Sequence, residues 1–460
     1  MRKHSMIILA LLSCAALAAT PDFSQVGFST MGGGTTGGAG GPVVRPADLA
    51  ELKRYAEAPE TPYTILITKE MNSGIPVSVD AEGAIGGSIP STYAGVVMLG
   101  SNKSLIGVGD KAFFNRVGIL IQKKRNIIIR NIRFTMEHVP ISKTDENKMV
   151  GMVDGKPALL GDPDCISIQA DSGSATAEQK KGMESRNIWI DHCEFHNEDP
   201  ALVDDKDRYD GLLDAKNNTY NVTISWNYFH DHSKGSLIGN SDNDEFEHKF
   251  TFHHNHFRNI ASRQPLIRFG RAHIYNNYIH EGGGNGIDVR IDSDLLIEKN
   301  QFAILSKAVF GSDGSRATLV DNVAVGNSSK KTTIAELPEG SFRPPYPYTA
   351  DPVDQVIALT TTYAGVGKIN TSEYEKGSTS LAGMPAARSL PVARWVKGGI
   401  EILSAPGLAL RLYDLAGRSL HTGVASGPET VIPLSPKPGV YLLAAGAAGS
   451  QALIPLRLRP

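Results

Sequence analysis

The chain has 460 residues, room for one large domain and a smaller one, and a composition of 41% apolar and 20% charged residues that is ordinary for a globular protein. Its net charge of −2 gives no bulk attraction to nucleic acid or to an anionic membrane surface. Three cysteines in so long a chain exclude a disulfide framework, and 47 glycines fit a fold with many tight turns.

The N-terminus reads as a signal peptide over residues 1–19. Met1 to Ser5 is basic, Met6 to Ala19 is an apolar run too short to span a bilayer, and Ala16-Leu17-Ala18 offers a small-residue cleavage site. Leu11-Leu12-Ser13-Cys14 is a poor lipoprotein signal and remains a competing reading. Loss of Arg2 and Lys3 takes the net charge from −2 to about −4. An exported protein is therefore expected, extracellular or at the cell surface and without a membrane span. Cys165 and Cys193 remain after cleavage; Cys193 reads as a buried, small apolar residue, and its pairing with Cys165 is left open.

Residues 27–41, GFSTMGGGTTGGAGG, lack the Gly-Lys-Ser/Thr ending of a phosphate loop. They are expected to serve turns and close backbone approach at one end of the domain. Pro46 to Ala58 then places Leu49, Leu52 and Ala56 on one helical face with Pro46 near the first turn, which predicts a capping helix.

A repeated strand pattern follows: NIIIRNIRF (126–134), NIWIDHCEF (187–195), NVTISWNYF (221–229), KFTFHHNHF (249–257), AHIYNNYI (272–279), DLLIEKNQF (294–302) and ATLVDNVA (317–324). Aligned, the copies put Asn227, Asn255, Asn277, Asn300 and Asn322 in one column, 28, 22, 23 and 22 residues apart. A second column holds Phe134, Phe195, Phe229, Phe257, Ile279 and Phe302. β-rich repeats of this period predict a parallel β-helix, a solenoid running from about Thr64 to about Val325. The asparagines should bond to one another up the stack and the aromatic rings should pack face to face.

Residues 331–370 carry proline-rich loops, among them Phe342 to Tyr348, and are expected to wrap back along the coil. The coil domain is thus read as 20–370, with 371–396 a linker of Ser, Thr, Ala and Pro. Residues 397–460 show short alternating strands, Ile400 to Ile402, Leu408 to Tyr413 and Val440 to Leu443, and predict a small β-sandwich.

The chemistry lies beside the repeats. Asp162 and Asp164 in GDPDCISI are alternate residues on one face, and Asp210 and Asp214 in YDGLLDAK follow one rung later. Converging carboxylates need a cation, and hard oxygen donors favour Ca²⁺; exposed acidic turns are the competing reading. Lys234, Arg263 and Arg268 stand nearby, suited to a polyanionic carboxylate substrate or else to surface ion pairs. The histidines at 192, 196, 230, 232, 253, 254 and 256 make a poor tetrahedral metal site because strand neighbours point to opposite faces. His192 is expected to bond to backbone.

Four of these stretches, Asn187 to His192, DGLLD at 210–214, HDHSKGSLIGNSD at 230–242 and RQPLIRFG at 263–270, together resemble the signature set of the family 1 polysaccharide lyases, the pectate lyases. GFSTMGGGTTGGAGG and PYPYTADP also resemble that family, so the likeness covers about residues 22–370. It implies an all-β, right-handed parallel β-helix and a Ca²⁺-dependent β-elimination of de-esterified polygalacturonate. It further implies metal ligands at Asp164, Asp210 and Asp214, with Asp162 a fourth. Lys234 and Arg268 would bind substrate carboxylate, and Arg263 would remove the proton. A guanidinium normally stays protonated, so an alkaline optimum is expected. Pectin lyase, polygalacturonase and a non-enzymatic adhesin are the alternatives on a similar coil. Leu412 to Arg418 followed by Lys437 to Tyr441 resembles type IX secretion sorting domains, which implies contact with secretion machinery. The enzyme itself is expected to be a monomer.

Overall fold

Each repeat is rich in β-branched and aromatic residues, and successive side chains point to opposite faces, so a strand turns one side to a core and the other outward. No single rung can bury its apolar side alone; stacked rungs can. The computed structural model describes residues 20–73, 95–137, 149–153, 156–160, 164–170, 183–203, 209–282, 284–312, 314–329 and 331–375, together with the C-terminal strands between 392 and 458. It shows a right-handed parallel β-helix built from three parallel sheets of ten, nine and nine strands. Each rung visits the first, second and third sheet in turn, as in Thr219–Ser225, Tyr228–Lys234 and Leu237–Ile238. The signal peptide read at 1–19 lies outside the described residues.

Inward residues such as Ile190, Ile224, Phe252, Ile274 and Ile297 form one continuous core along the coil. The asparagine column stands at the corner between the first and second sheets. Asn255 Oδ1 accepts both the backbone N–H and the side-chain N–H of Asn227, each at 3.0 Å, and the pattern repeats to Asn322. The residue before each asparagine is left-handed: Trp226 has φ 53°, His254 φ 54° and Asn276 φ 51°. The asparagine side chains compensate that strained corner by satisfying the backbone groups it exposes. Phe134, Phe195, Phe229 and Phe257 stack with centroids 4.6–5.2 Å apart, and Phe114 meets the end of the column edge-on. Cys193 takes the asparagine position of its rung; it and Cys165 are buried and unpaired.

Asn255→Ala is expected to destabilise the fold by about 3 kcal/mol or more, because it orphans the buried N–H groups of Asn227 and the Ile224 carbonyl, each worth about 1–3 kcal/mol. The same change at half-exposed Asn322 should cost far less. Denaturant unfolding of the two variants reads the difference.

The helix forms over Leu49–Ala56 and buries Leu52 and Ala56 on the coil end. Its N-cap is Asp48, which accepts from Glu51 N at 2.8 Å while Glu51 reaches back to Ala47 N. Pro46 therefore precedes the cap and is not in the first turn. The glycine-rich segment also differs from expectation: it runs along the outer face of the first sheet and does not sit at an end. A Cβ on Gly38 would lie 1.9 Å from Tyr63 O, and one on Gly27 2.6 Å from Thr223 Oγ1, so both positions exclude a side chain. Phe28 N and Ser29 N donate to Thr251 and Thr223.

Residues 331–370 wrap back as expected. Ser341 bonds to Asp294, Tyr346 to Thr251, Asp351 to His254 and Gly367 to Asn131, a path from the last rungs toward the first. The C-terminal part forms two antiparallel sheets, one of Val392–Val396, Gly399–Leu403 and Glu429–Pro433, the other of Ala409–Asp414, Ser419–Val424, Gly439–Ala447 and Ser450–Leu458. The first of these strands falls inside the stretch read as a linker.

Candidate active site

The third sheet carries the acidic residues. On Leu213–Lys216 the side chains of Leu213 and Ala215 enter the core, which leaves Asp214 and Lys216 on the outer face. Asp164 lies two residues before the start of the strand Ile166–Gln169 of the neighbouring rung, where Ser167 pairs with Asp214. Gly211 makes the close packing possible: a Cβ there would sit 2.0 Å from Asp214 Oδ1, and its N–H donates to Asp164 Oδ1 at 3.1 Å.

Carboxylate oxygens of Asp164, Asp210 and Asp214 all lie within 4.8 Å of one another. Asp214 is fully buried; its Oδ1 accepts from Leu237 N at 2.9 Å, while its Oδ2 has no hydrogen-bond partner. Burial, with repulsion from Asp164 and Asp210, pushes the Asp214 carboxyl well above the usual carboxylate range. Burial likewise raises Asp164, to about 6, although Lys216 opposes the rise. An unpartnered buried oxygen among mutually repelling carboxylates fits a bound divalent cation, and all donors are the hard oxygens that calcium prefers. Asp162 lies outside the described residues.

Facing this cluster are cations from the corner between the second and third sheets. Lys234, at the end of Tyr228–Lys234, places Nζ 3.5 Å from Asp210 Oδ1. Arg263 follows His256–Ser262 on the next rung and places Nη1 3.8 Å from the same oxygen. Arg263 is left-handed at φ 60°, and its carbonyl leaves room for no side chain at Gly235, where a Cβ would approach it to 2.5 Å. His232, buried behind the cluster, donates through Nε2 to the Asp210 carbonyl at 2.7 Å.

Five expected residues thus come together directly: Asp164, Asp210, Asp214, Lys234 and Arg263. Arg268 stands apart, bonded to Asp242 Oδ1 at 2.9 Å and Gly239 O at 3.0 Å. It shares with Arg263 a cavity of about 230 Å³, floored by Leu237 and Leu266 and continuing to Arg290. Two cations of this surface were not singled out from sequence. Lys216 lies 3.5 Å from Asp164 Oδ2 and 4.0 Å from Asp210 Oδ2, and Arg290 bonds to buried Asp288 at 2.8 Å. Strand periodicity could have found Lys216, two residues after Asp214.

Among the described residues no histidine ring bonds to the three carboxylates; of Asp210, His232 touches only the backbone. His192 bonds through Nδ1 to Asp191 Oδ2 at 2.6 Å, so its partner is a buried carboxylate and not the backbone. Asp191 in turn pairs with Arg130 and accepts from Ser225. Among the described residues, the one group of acidic, histidine or cysteine side chains converging as metal ligands is the aspartate trio.

Comparison with known proteins points one way. A family model described as pectate lyase matches residues 4–157 and 162–369. A pectate trisaccharide-lyase of Bacillus licheniformis is 34% identical over 352 residues, covering 76% of this chain and 88% of its own length. Pectate lyase B of Colletotrichum gloeosporioides is 33% identical over 355 residues, covering 76% of this chain and 87% of its own. Among solved structures, a pectate lyase of Bacillus sp. N165 in complex with trigalacturonate superposes with a TM-score of 0.55 at 27% identity, covering 75% of this chain and all of that one. A pectate lyase from Xanthomonas campestris gives a TM-score of 0.56 at 26% identity, over 75% of this chain and 98% of that one.

Proposed function

The chain belongs to the pectate lyase family, and from that membership we propose that it is a secreted, Ca²⁺-dependent enzyme that cleaves de-esterified polygalacturonate to 4,5-unsaturated oligogalacturonides. As a polysaccharide lyase it acts by β-elimination. The observation that carries the calcium reading is the converging aspartate trio with the buried, unpartnered Asp214 Oδ2, set opposite Lys234 and Arg263.

In this reading Asp164, Asp210 and Asp214 hold the ion, with Asp162 a fourth ligand. Bound there, calcium would neutralise a substrate carboxylate and so acidify the adjacent C5 proton. Lys234 donates to that carboxylate and stabilises the charge that grows on it as the C5–H bond breaks. Arg263 takes the C5 proton, the electron pair forms the C4–C5 double bond, and the C4–O bond breaks, leaving its oxygen to be protonated. Arg268, held against Gly239 and Asp242, binds a carboxylate farther along the groove. The acid cluster weighs against a pectin lyase, which would bind methyl-esterified substrate and have no use for a buried cation site.

Purified protein mixed with polygalacturonate and Ca²⁺ tests the reading. Ultraviolet absorbance of the conjugated double bond should rise. Reducing ends without that absorbance would indicate hydrolysis, and neither signal would indicate a binding protein.

The C-terminal domain is proposed to sort the enzyme through type IX secretion machinery, and the secreted enzyme to work as a monomer. Deleting 397–460 should leave activity inside the cell, read by assaying cells and medium separately; unchanged secretion would end the proposal.

A further inference from the structure

We infer that Lys216 is a resident counter-ion of the calcium site, an ammonium group that must give up its place when a divalent ion is bound and that thereby sets the calcium concentration at which the site fills. The inference rests on the calcium reading above and adds to it a residue and a direction of effect.

Lys216 follows Asp214 by two residues on the same strand, so both stand on the outer face. Its Nζ lies 3.5 Å from Asp164 Oδ2 and 4.0 Å from Asp210 Oδ2. The other Asp210 oxygen already faces Lys234 and Arg263. Among the described residues, Lys216 supplies the ammonium paired with Asp164. The cluster therefore carries its own cation, and it is placed among oxygens that span no more than 4.8 Å. A divalent ion bound to those oxygens would lie within a few ångströms of that ammonium, where like charges repel.

The side chain has a way out. It keeps 21% of its surface exposed. A flexible four-carbon stem lets the head swing outward without moving the strand. An ordinary ligand-orienting residue would strengthen metal binding; a counter-ion weakens it. The sign of the effect on removal therefore separates the two roles.

Calorimetric titration with CaCl₂, in the absence of substrate, tests this on the full chain. Lys216→Met is expected to bind calcium about tenfold more tightly than the wild type, the order that Coulomb repulsion from one nearby ammonium gives in a solvent-accessible site. Lys216→Gln should behave likewise, and Lys216→Arg, which keeps the charge, should remain weak. Thermal melts establish that each variant is folded. Unchanged or weaker calcium binding in folded Lys216→Met and Lys216→Gln, beside measurable binding in the wild type, would overturn the counter-ion role and leave the calcium reading standing. Absence of binding in all of these proteins would overturn both.

Discussion

Replacing Arg263 by alanine is expected to lower kcat on polygalacturonate by about 10³-fold, the contribution typical of a positioned proton acceptor together with the charge stabilisation it brings. The loss should fall mainly on kcat, because Lys234 and Arg268 remain to hold the substrate carboxylates. Stability should barely change. The Arg263 side chain is partly exposed, and its contact with Asp210 is a 3.8 Å ion pair of the kind that contributes little. Steady-state kinetics followed by ultraviolet absorbance, with a thermal melt as control, decide the matter. Full activity in Arg263→Ala would assign proton removal to another group. The pH–rate profile of the wild type gives a second check: activity should rise toward alkaline pH, and a flat or acid-shifted profile would count against a guanidine base.

Asp214→Asn should have the second large effect, with opposite signs on function and stability. Removing the charge of a central ligand is expected to weaken calcium binding by at least about 100-fold, since changes beyond the first ligand shell already cost 10–100-fold. Yet the same change should stabilise the metal-free protein at neutral pH. Asp214 is buried between two other carboxylates with one oxygen unpartnered, and an amide relieves that repulsion.

The pH dependence follows from the direction of the shifts. Burial raises the Asp164 and Asp214 carboxyls in the folded protein, Asp164 to about 6. Between the ordinary carboxyl range and those raised values the folded state holds more protons than the unfolded one, so this contribution to stability falls as pH rises. Without calcium, the advantage of Asp214→Asn over the wild type should therefore grow as pH rises from the ordinary carboxyl range, about pH 4, toward neutrality. Saturating calcium should reverse it. Denaturation at several pH values, with and without a chelator, reads both signs; an Asp214→Asn protein that is less stable at every pH without calcium would refute the account.

The coil was legible because its marks are periodic. Asn227 to Asn322 recur at rung spacing, and a buried amide column has few other physical explanations. The site was legible in part. Asp164, Asp210, Asp214, Lys234 and Arg263 stand in short stretches that the coil folds onto adjoining rungs, so their meeting follows once the stacking is assumed. Lys216 escaped notice because a lysine after DGLLDA reads as an ordinary solvated strand residue; only the register with Asp164 gives it a partner. His192 was misread for a similar reason. Its place before the column residue Cys193 marks it as left-handed, but that place does not reveal that the ring bonds to the neighbouring Asp191. The glycine-rich segment was recognised as a close-approach element, but its length of contact along the first sheet depends on Thr223, Thr251 and Ser104, far away in sequence.

The returning segment has a mechanical consequence. By crossing back over the rungs it reaches Gly109 through Thr371, and Tyr374 packs on the cluster of Leu66, Ile106, Ile128 and Trp189. The chain thus leaves the coil beside the rungs where it first entered. Whatever follows residue 375 is leashed near the capped end. Force applied through the chain beyond residue 375 would therefore load the early rungs first.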